Sequence, residues 1–314
     1  MLEMRKSAVG KAGRVAALAM ALLVLLGSLA CTSSTDSGKL KVVATIFPLA
    51  DFVKNVGGDK VEVITLLPAG ASPHAYDLKV HEVKNIAEAK LFVMNGLGLD
   101  SWIGDKVKAA ASPDLVVADT SIFVAIEGLL LTGDEQGYGD EESHHGVNPH
   151  IWLDPVLAQK QVEAIALALI MVDPENKDSY MRNAAAYIGK LHSLDEEIQA
   201  STDNFSQREF IAFHPAWTYF ASRYGLIEAA VIEESPGQDS PAHTRKVIDV
   251  ARDLNIKAIF AELQFNPDRA KTIAEEIGGE VLFLDPIGGV DLEGRDSYIE
   301  LMRYNVEQMA LAME

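Results

Sequence analysis

Two kinds of apolar pattern alternate along residues 40–120 and again along residues 209–290. Short runs such as KLKVVATI (39–46) and VEVITLLP (61–68) have the length and the β-branched composition of buried strands. Between such runs lie segments with apolar residues at helical spacing, such as PLADFVKNVGG (48–58). Strands that alternate with helices predict an α/β fold with parallel sheets flanked by helices.

The second stretch repeats the order of strands and helices in the first. Several residues recur at one offset of 167 positions: Pro48 and Pro215, Gly58 and Gly225, Gly70 and Gly237, Lys90 and Lys257. Asp119 and Asp285, 166 positions apart, end matching strands. Chance recurrence of turn glycines is the alternative, but the shared order favours two similar α/β lobes.

The segment between the two stretches has a different pattern. Residues 154–172 read as one helix with Asp154 as its N-cap and Pro155 as its first residue. A second helical pattern runs from Pro174 to about Ala200, and a helix of ~27 residues would extend ~40 Å. We therefore predict an N-terminal lobe at 40–173, one long rigid linking helix at 174–203 and a C-terminal lobe at 204–314.

The first 31 residues have the pattern of an export signal. A basic segment precedes the apolar run VAALAMALLVLL (15–26), which is shorter than the ~20 residues of a membrane span. Cys31, the single cysteine, follows Ala30 in a lipobox-like sequence, although Ser28 stands where leucine is usual. We predict a signal peptide at 1–31, lipidation at Cys31 and a flexible tether at 32–39; a cleaved secretory signal with an incidental cysteine is the alternative.

The net charge of the chain limits the kinds of molecule that it is expected to bind. Formal net charge is −19, and residues 1–31 contribute +3, so the processed chain would carry −19 − 3 = −22. Such a surface argues against nucleic acid as a partner and would attract cations.

Three of the eight histidines share one kind of position. His74, His150 and His214 each have a proline neighbour and lie in predicted loops at the ends of strands or helices. Ligands gather at the carboxyl ends of strands in open α/β sheets. Each of these histidines taken alone is better explained by a structural hydrogen bond, but three in one topological position favour a ligand set.

Two carboxylates occupy comparable positions at strand ends. Asp285 ends the apolar run VLFLD (281–285), where a buried, unpaired carboxylate would be costly, so it requires a cation, a helix N-terminus or a metal as its partner. Glu262 ends the neighbouring strand and is a candidate for a supporting contact to a ligand, for an alternative ligand, or for capping of the following helix. His144 and His145 lie in an acidic loop at 133–146, which is either an auxiliary metal-capture segment or a solvated insertion.

Several motifs together resemble one known family. They are ATIFPLADFVKNVGGDKVEV (44–63), LLPAGASPHAYDL (66–78), NPHIWLDP (148–155), FHPAWTYFASRYGL (213–226) and LDPIGG (284–289). In their order and spacing they resemble the zinc and manganese substrate-binding lipoproteins of bacterial ABC importers (metal-binding cluster A-I family), from about residue 40 to the C-terminus.

The resemblance implies a metal in the cleft between two lobes, held by His74, His150, His214 and Asp285. Family members of the manganese type carry glutamate at the position of His214, so histidine there indicates the zinc type. Three imidazoles and one carboxylate suit tetrahedral Zn²⁺, whereas harder, oxygen-rich sites suit Mn²⁺.

The function implied is extracytoplasmic capture of Zn²⁺ and its delivery to the membrane permease and ATPase of an ABC importer. Four protein ligands would close the zinc shell, which argues for a binding protein rather than an enzyme. The alternatives are a manganese-binding importer component, a metal-dependent hydrolase and a surface adhesin. Localisation is expected to be at the cell membrane through a lipid anchor, or periplasmic.

Overall fold

The computed structural model describes residues 38–103, 112–131, 147–233 and 240–314. Its strands are β1 (Leu40–Ala44), β2 (Val61–Thr65), β3 (Leu91–Met94), β4 (Val116–Asp119), β5 (Glu209–Ala212), β6 (Ile227–Val231), β7 (Ala258–Glu262) and β8 (Glu280–Leu284). Its helices are α1 (Phe47–Gly57), α2 (Val80–Glu88), α3 (Ile122–Ile126), α4 (Pro155–Val172), α5 (Lys177–Thr202), α6 (Thr218–Tyr224), α7 (Pro241–Asp253), α8 (Asp268–Ile277) and α9 (Tyr298–Met313). Short 3₁₀ turns lie at Gly58–Lys60, Ile151–Leu153 and Pro174–Asn176.

The described strands form two parallel sheets with one topology. Their orders are β2-β1-β3-β4 and β6-β5-β7-β8, so each sheet places its first strand between its second and third. The matching orders confirm the predicted fold of two α/β lobes. In each sheet the carboxyl ends of all four strands lie at one edge, which is where the loops that follow them meet.

The N-terminal half, which contains β1 to β4, and the C-terminal half, which contains β5 to β8, contribute to one hydrophobic cluster. The largest buried cluster contains Trp152, Trp217 and Tyr298, and it also includes residues of α1, α4 and α5. Residues 40–314 form one compact unit. The lobe boundaries predicted at 173/174 and 203/204 therefore remain predictions.

Two helices join the sheets, and their starts follow local chemistry. Asp154 caps α4, since its Oδ1 accepts hydrogen bonds from the amides of Val156 at 2.7 Å and Leu157 at 3.4 Å. This helix is also long and apolar enough to cross a membrane, but half of it is buried inside the protein.

The linking helix begins slightly later than the predicted start at Pro174. Residues 174–176 form a 3₁₀ turn, and α5 runs from Lys177 as 26 continuous residues, which corresponds to ~39 Å. The carboxylate of Asp173 accepts hydrogen bonds from Asn176 Nδ2 at 2.7 Å and Tyr180 OH at 2.6 Å, which ties the tighter turn to the helix. The buried apolar residues of α5 include Tyr180, Ala184, Tyr187, Leu191, Leu194 and Ile198, which recur at helical spacing.

Candidate metal centre

His74 lies in the loop between β2 and α2. Its backbone amide donates to Ser72 Oγ at 3.3 Å, a local turn contact that sets the direction of the loop. The residue as a whole is exposed. Its ring nevertheless faces His150 and His214, with centroid separations of 5.3 and 5.5 Å. His74 is therefore the solvent-side member of the group.

His150 lies just before the 3₁₀ turn that leads to α4, and it is 4% exposed. Asn148 Nδ2 faces the carbonyl of Pro215 at 2.7 Å, so the amide oxygen of Asn148 must face the other way. That oxygen accepts from the backbone N–H of His150 at 3.0 Å and from its Nδ1 at 2.9 Å. Because Nδ1 is the donor, Nε2 of His150 presents a lone pair toward the site.

His214 follows β5 and is 7% exposed. Its Nδ1 is 2.7 Å from Glu262 Oε1, and a carboxylate can only accept, so Nδ1 carries the proton. Nε2 of His214 is therefore the nitrogen that can bind a metal once it has lost its proton. A metal ligand histidine held by a carboxylate in this way is a recurrent zinc arrangement. While Glu262 is bonded to Nδ1 on one side of the ring, it cannot also coordinate an ion at Nε2 on the other side.

Nε2 of His150 lies at tetrahedral spacing from Nε2 of His74 and from Nε2 of His214. His150 Nε2 lies 3.3 Å from His74 Nε2 and 3.2 Å from His214 Nε2. Ligand atoms of the three residues all lie within 4.8 Å of one another. Nitrogens about 2.0–2.1 Å from a tetrahedral zinc are separated by roughly 3.3 Å, which matches these distances. The chain thus brings together three imidazole nitrogens from both halves of the molecule, and two of the three pairs have the spacing of zinc ligands.

Burial and mutual repulsion set the charge of the group. His74 is exposed as a residue, but desolvation of its ring against the other histidines lowers its pKa, and burial lowers the pKa of His150; the positive charge of His214 lowers both further. Burial also acts to lower the pKa of His214, but the neighbouring carboxylates, Glu262 first, outweigh it and raise that pKa. At neutral pH the first two rings are neutral, the form that binds metal.

A further carboxyl group, Glu228 in β6, lies behind His214. Burial raises the pKa of Glu228 to about 8. Thr218 Oγ1 donates to Glu228 Oε2 at 3.0 Å and accepts from Asn148 Nδ2 at 3.2 Å. A hydrogen-bond chain therefore runs from His150 through Asn148 and Thr218 to Glu228, and it connects the two halves beneath the site.

The residues that follow Asp285, Pro286 and Ile287, line the pocket of the histidine group, but Asp285 itself is bonded elsewhere. It is 1% exposed, and its Oδ2 accepts from an Arg295 guanidinium nitrogen at 2.7 Å. Among the described residues, the group of mutually close ligand atoms contains the three histidines and not Asp285. The predicted role of Asp285 as fourth ligand remains a prediction, and Arg295 is the cationic partner that its carboxylate has in this structure.

The remaining histidines and the single cysteine divide into those inside and those outside the described residues. His144, His145 and Cys31 lie outside the described residues, so their predicted roles remain predictions. His81 and His192 are exposed on helices, and His243 Nε2 is bonded to the carbonyl of Val231 at 2.8 Å. These three histidines are separate from the site.

Sequence reasoning missed two supporting residues, Asn148 and Arg295. Asn148 could have been found, since asparagine two residues before a histidine is placed to accept its amide in a local turn. Arg295 has no comparable signal, because its partner is ten residues away in a loop without periodicity.

The fold and the histidine group define a class, the two-lobe metal-binding proteins of the substrate-binding type. The chain belongs to the family described as "Zinc-uptake complex component A periplasmic", whose model matches residues 42–312. This family consists of transport components rather than enzymes, as predicted.

Relatives within the family carry names for two metals. The chain is 32% identical over 302 residues to the high-affinity zinc uptake system protein ZnuA of Bacillus subtilis (strain 168), covering 94% of this chain and 95% of that protein. It is 31% identical over 310 residues to the manganese ABC transporter substrate-binding lipoprotein PsaA of Streptococcus pneumoniae, covering 93% and 96%. A crystal structure of ZnuA superimposes with a TM-score of 0.77 at 30% identity, covering 88% of this chain and all of that one.

Proposed function

We propose that this protein captures Zn²⁺ with His74, His150 and His214 and delivers it to the permease and ATPase of an ABC importer. The single observation that supports this most strongly is the spacing of the three Nε2 atoms, at 3.2 and 3.3 Å along two edges of the group. In this proposal, Asp285 completes the shell as a fourth ligand.

The choice of zinc over manganese rests on the chemistry of the donors. Imidazole nitrogen suits Zn²⁺, whereas Mn²⁺ prefers oxygen-rich sites and stands lower in the Irving–Williams order. His214 is decisive in this respect, since a carboxylate in its place would make the set harder. The carboxylate at hand, Glu262, is instead held against Nδ1 of His214 at 2.7 Å.

The place of action follows from family membership and from the N-terminal sequence. The relatives include proteins named as lipoproteins and as zinc or manganese transport components. Together with the export pattern of residues 1–31, this supports an extracytoplasmic location, with a lipid on Cys31 as the proposed anchor. The negative surface would favour the approach of cations to such a protein.

Metal competition on purified protein tests the proposal. Protein stripped by chelation is titrated with Zn²⁺ against a chromophoric chelator, and Mn²⁺ is then added in excess. We expect one tightly bound zinc per chain, retained against at least a hundredfold excess of Mn²⁺. His192→Ala, on an exposed face of α5, is the matched control for histidine substitutions at the site.

A preference for Mn²⁺, or zinc binding that survives loss of the three histidines together, would overturn the assignment. For delivery, deletion of the gene from its host should slow growth in chelator-treated medium, and added zinc should restore growth. Rescue by manganese alone would point to the other metal.

A further inference from the structure

Asp285 has an unusually complete set of hydrogen-bond partners. Its Oδ1 accepts from Gln264 Nε2 at 2.8 Å and from the amides of Ile287 at 3.1 Å and Gly288 at 3.0 Å. Its Oδ2 accepts from the guanidinium of Arg295 at 2.7 Å. The carboxylate is thus held in place through Oδ1, and Oδ2 is the oxygen whose partner is a cation.

Arg295 is fixed at this position by its own surroundings. Its side chain is 20% exposed, and its guanidinium carbon lies 5.0 Å from the centre of the Tyr304 ring. The backbone carbonyl of Arg295 accepts from Gly289 N at 3.2 Å. Gly288 has φ +68°, and a Cβ added there would lie 2.8 Å from the same carbonyl oxygen. The loop from 285 to 295 therefore folds back tightly, with Arg295 against the carboxylate.

This loop is in contact with the surroundings of the histidine group. Pro286 and Ile287 line the pocket that contains the three histidines, and so does Gln264, the Oδ1 partner of Asp285. Trp152, whose ring is 5.2 Å from that of His150, donates from Nε1 to the carbonyl of Pro286 at 2.7 Å. A Cβ added at Gly289 would lie 2.6 Å from Ala69 Cβ, in the loop that carries His74.

We propose that Arg295 is a positioning residue that competes with the bound divalent cation for Oδ2 of Asp285 and so lowers metal affinity and speeds release. The inference rests on the proposed function. A guanidinium and a divalent ion are alternative cationic partners for one oxygen, so each makes the other easier to displace. An importer component needs this property, because cargo that is bound too tightly is not delivered.

Arg295→Gln tests the competition, because it removes the positive charge and leaves the Oδ1 contacts of Asp285 in place. Zinc affinity is measured by chelator competition, and the dissociation rate by transfer of zinc to an excess of chelator. We expect affinity to rise at least tenfold and dissociation to slow by a similar factor. Arg295→Lys, which retains the charge, should stay within about threefold of the parent. Unchanged or weaker zinc binding by R295Q would overturn the proposal.

A double variant ties the effect to Asp285. In an Asp285→Asn background, R295Q should give no gain in affinity, since the oxygen at issue has lost its charge. An equal gain in both backgrounds would show that Arg295 acts by general electrostatics and would overturn the competition.

The outcomes separate this inference from the proposed function. If the parent protein binds no zinc, or binds it without the histidines, the proposed function fails. If the parent binds zinc through the histidines and R295Q matches it, only the role of Arg295 fails.

A measurement on the unaltered protein guards against an R295Q chain that does not fold. In protein labelled with ¹⁵N-arginine, the Nε–H resonance of Arg295 should shift on addition of one equivalent of zinc. An unshifted resonance would count against displacement of the guanidinium.

Discussion

The two halves of the molecule use the same strand-end positions for different purposes. The offset of 167 pairs His214 with Phe47 and Glu262 with Asn95, since 214 − 47 and 262 − 95 are both 167. Phe47 is buried in the main core, and Asn95 donates to the carbonyl of Pro149 at 2.9 Å. Their counterparts form the bonded pair at the centre of the metal site. The repeat therefore gives both halves the same backbone positions at the strand ends. The side chains at these positions decide that only the C-terminal half places an ionisable pair there.

Asp119 and Asp285 make the same contrast at the last strand of each sheet. Each accepts the backbone amide two residues later, Ser121 at 2.9 Å and Ile287 at 3.1 Å. Asp119 is exposed and receives its second bond from the Ser121 hydroxyl at 2.7 Å, whereas Asp285 is buried against Arg295. The same turn, in which an aspartate accepts the backbone amide two residues later, holds an exposed carboxylate at Asp119 and a buried, ion-paired one at Asp285.

The largest effect on zinc affinity is expected when a ligand histidine is removed from the C-terminal half. His214→Ala is expected to weaken zinc binding by about 10³-fold or more, since one of three imidazoles is lost and Glu262 is left without its partner. Chelator competition measures the change. Phe47→Leu, at the equivalent position, should lower the free energy of unfolding but leave zinc affinity within a few-fold. Equal loss of affinity in both variants would contradict the different roles of the two positions.

Neutralising Glu262, the carboxylate bonded to Nδ1 of His214, should lower zinc affinity by a smaller factor. Glu262→Gln keeps an acceptor for Nδ1 but removes the charge, and loss of such a partner typically costs 10–100-fold in metal affinity. Zinc titration of this variant is compared with exposed Glu175→Gln as the control. If E262Q binds zinc like the parent, the carboxylate has no part in binding.

Asp100, in the N-terminal half, is a buried acid that has no ion pair with any residue of the described part of the chain. Burial raises the pKa of Asp100 to about 6, above the unfolded value near 3.9. A raised carboxyl pKa costs stability above pH 6, and this cost disappears as the pH falls through 6 toward 4. Asp100→Asn should therefore stabilise the fold at pH 8 by on the order of 1–3 kcal/mol relative to its effect at pH 4.

Denaturant unfolding at the two pH values, with parent and variant side by side, measures this difference. Asp154→Asn is unsuitable as a control because Asp154 caps α4, so exposed Asp253→Asn is used instead. A D100N effect that is the same at both pH values would show that the carboxylate is not strained by burial.

The smallest effect is expected in the helix that connects the halves. Gly189 lies in the interior of α5, is exposed, and has no atom within 4 Å of the place where a Cβ would stand. Gly189→Ala should raise the free energy of unfolding by about 0.5–1 kcal/mol through helix propensity and leave zinc affinity unchanged. Thermal and denaturant unfolding test the first part, and loss of stability would indicate that the glycine has a packing role.

Much of the fold and part of the site could be predicted from the sequence for physical reasons. Strand and helix periodicities are local, so both sheets and the long helix were accessible, and Asp154 was recognisable as a cap. His74, His150 and His214 were recognisable from their neighbouring prolines and their position at element ends. The structure brings these three rings together.

The contacts that depend on tertiary approach could not be predicted. Asn148 reaches Pro215 and Thr218 across the two halves, and no local pattern encodes that distance. The pairing of Asp285 with Arg295 depends on how tightly one irregular loop folds back. Sequence can place a carboxylate at a strand end, but its partner is decided by packing.

Anomalous diffraction at the zinc edge, from crystals of the zinc-loaded protein, tests the central claim most directly. The account predicts one strong peak about 2.0–2.1 Å from the Nε2 atoms of His74, His150 and His214. A zinc peak elsewhere, or one bonded to fewer than two of these rings, would contradict it.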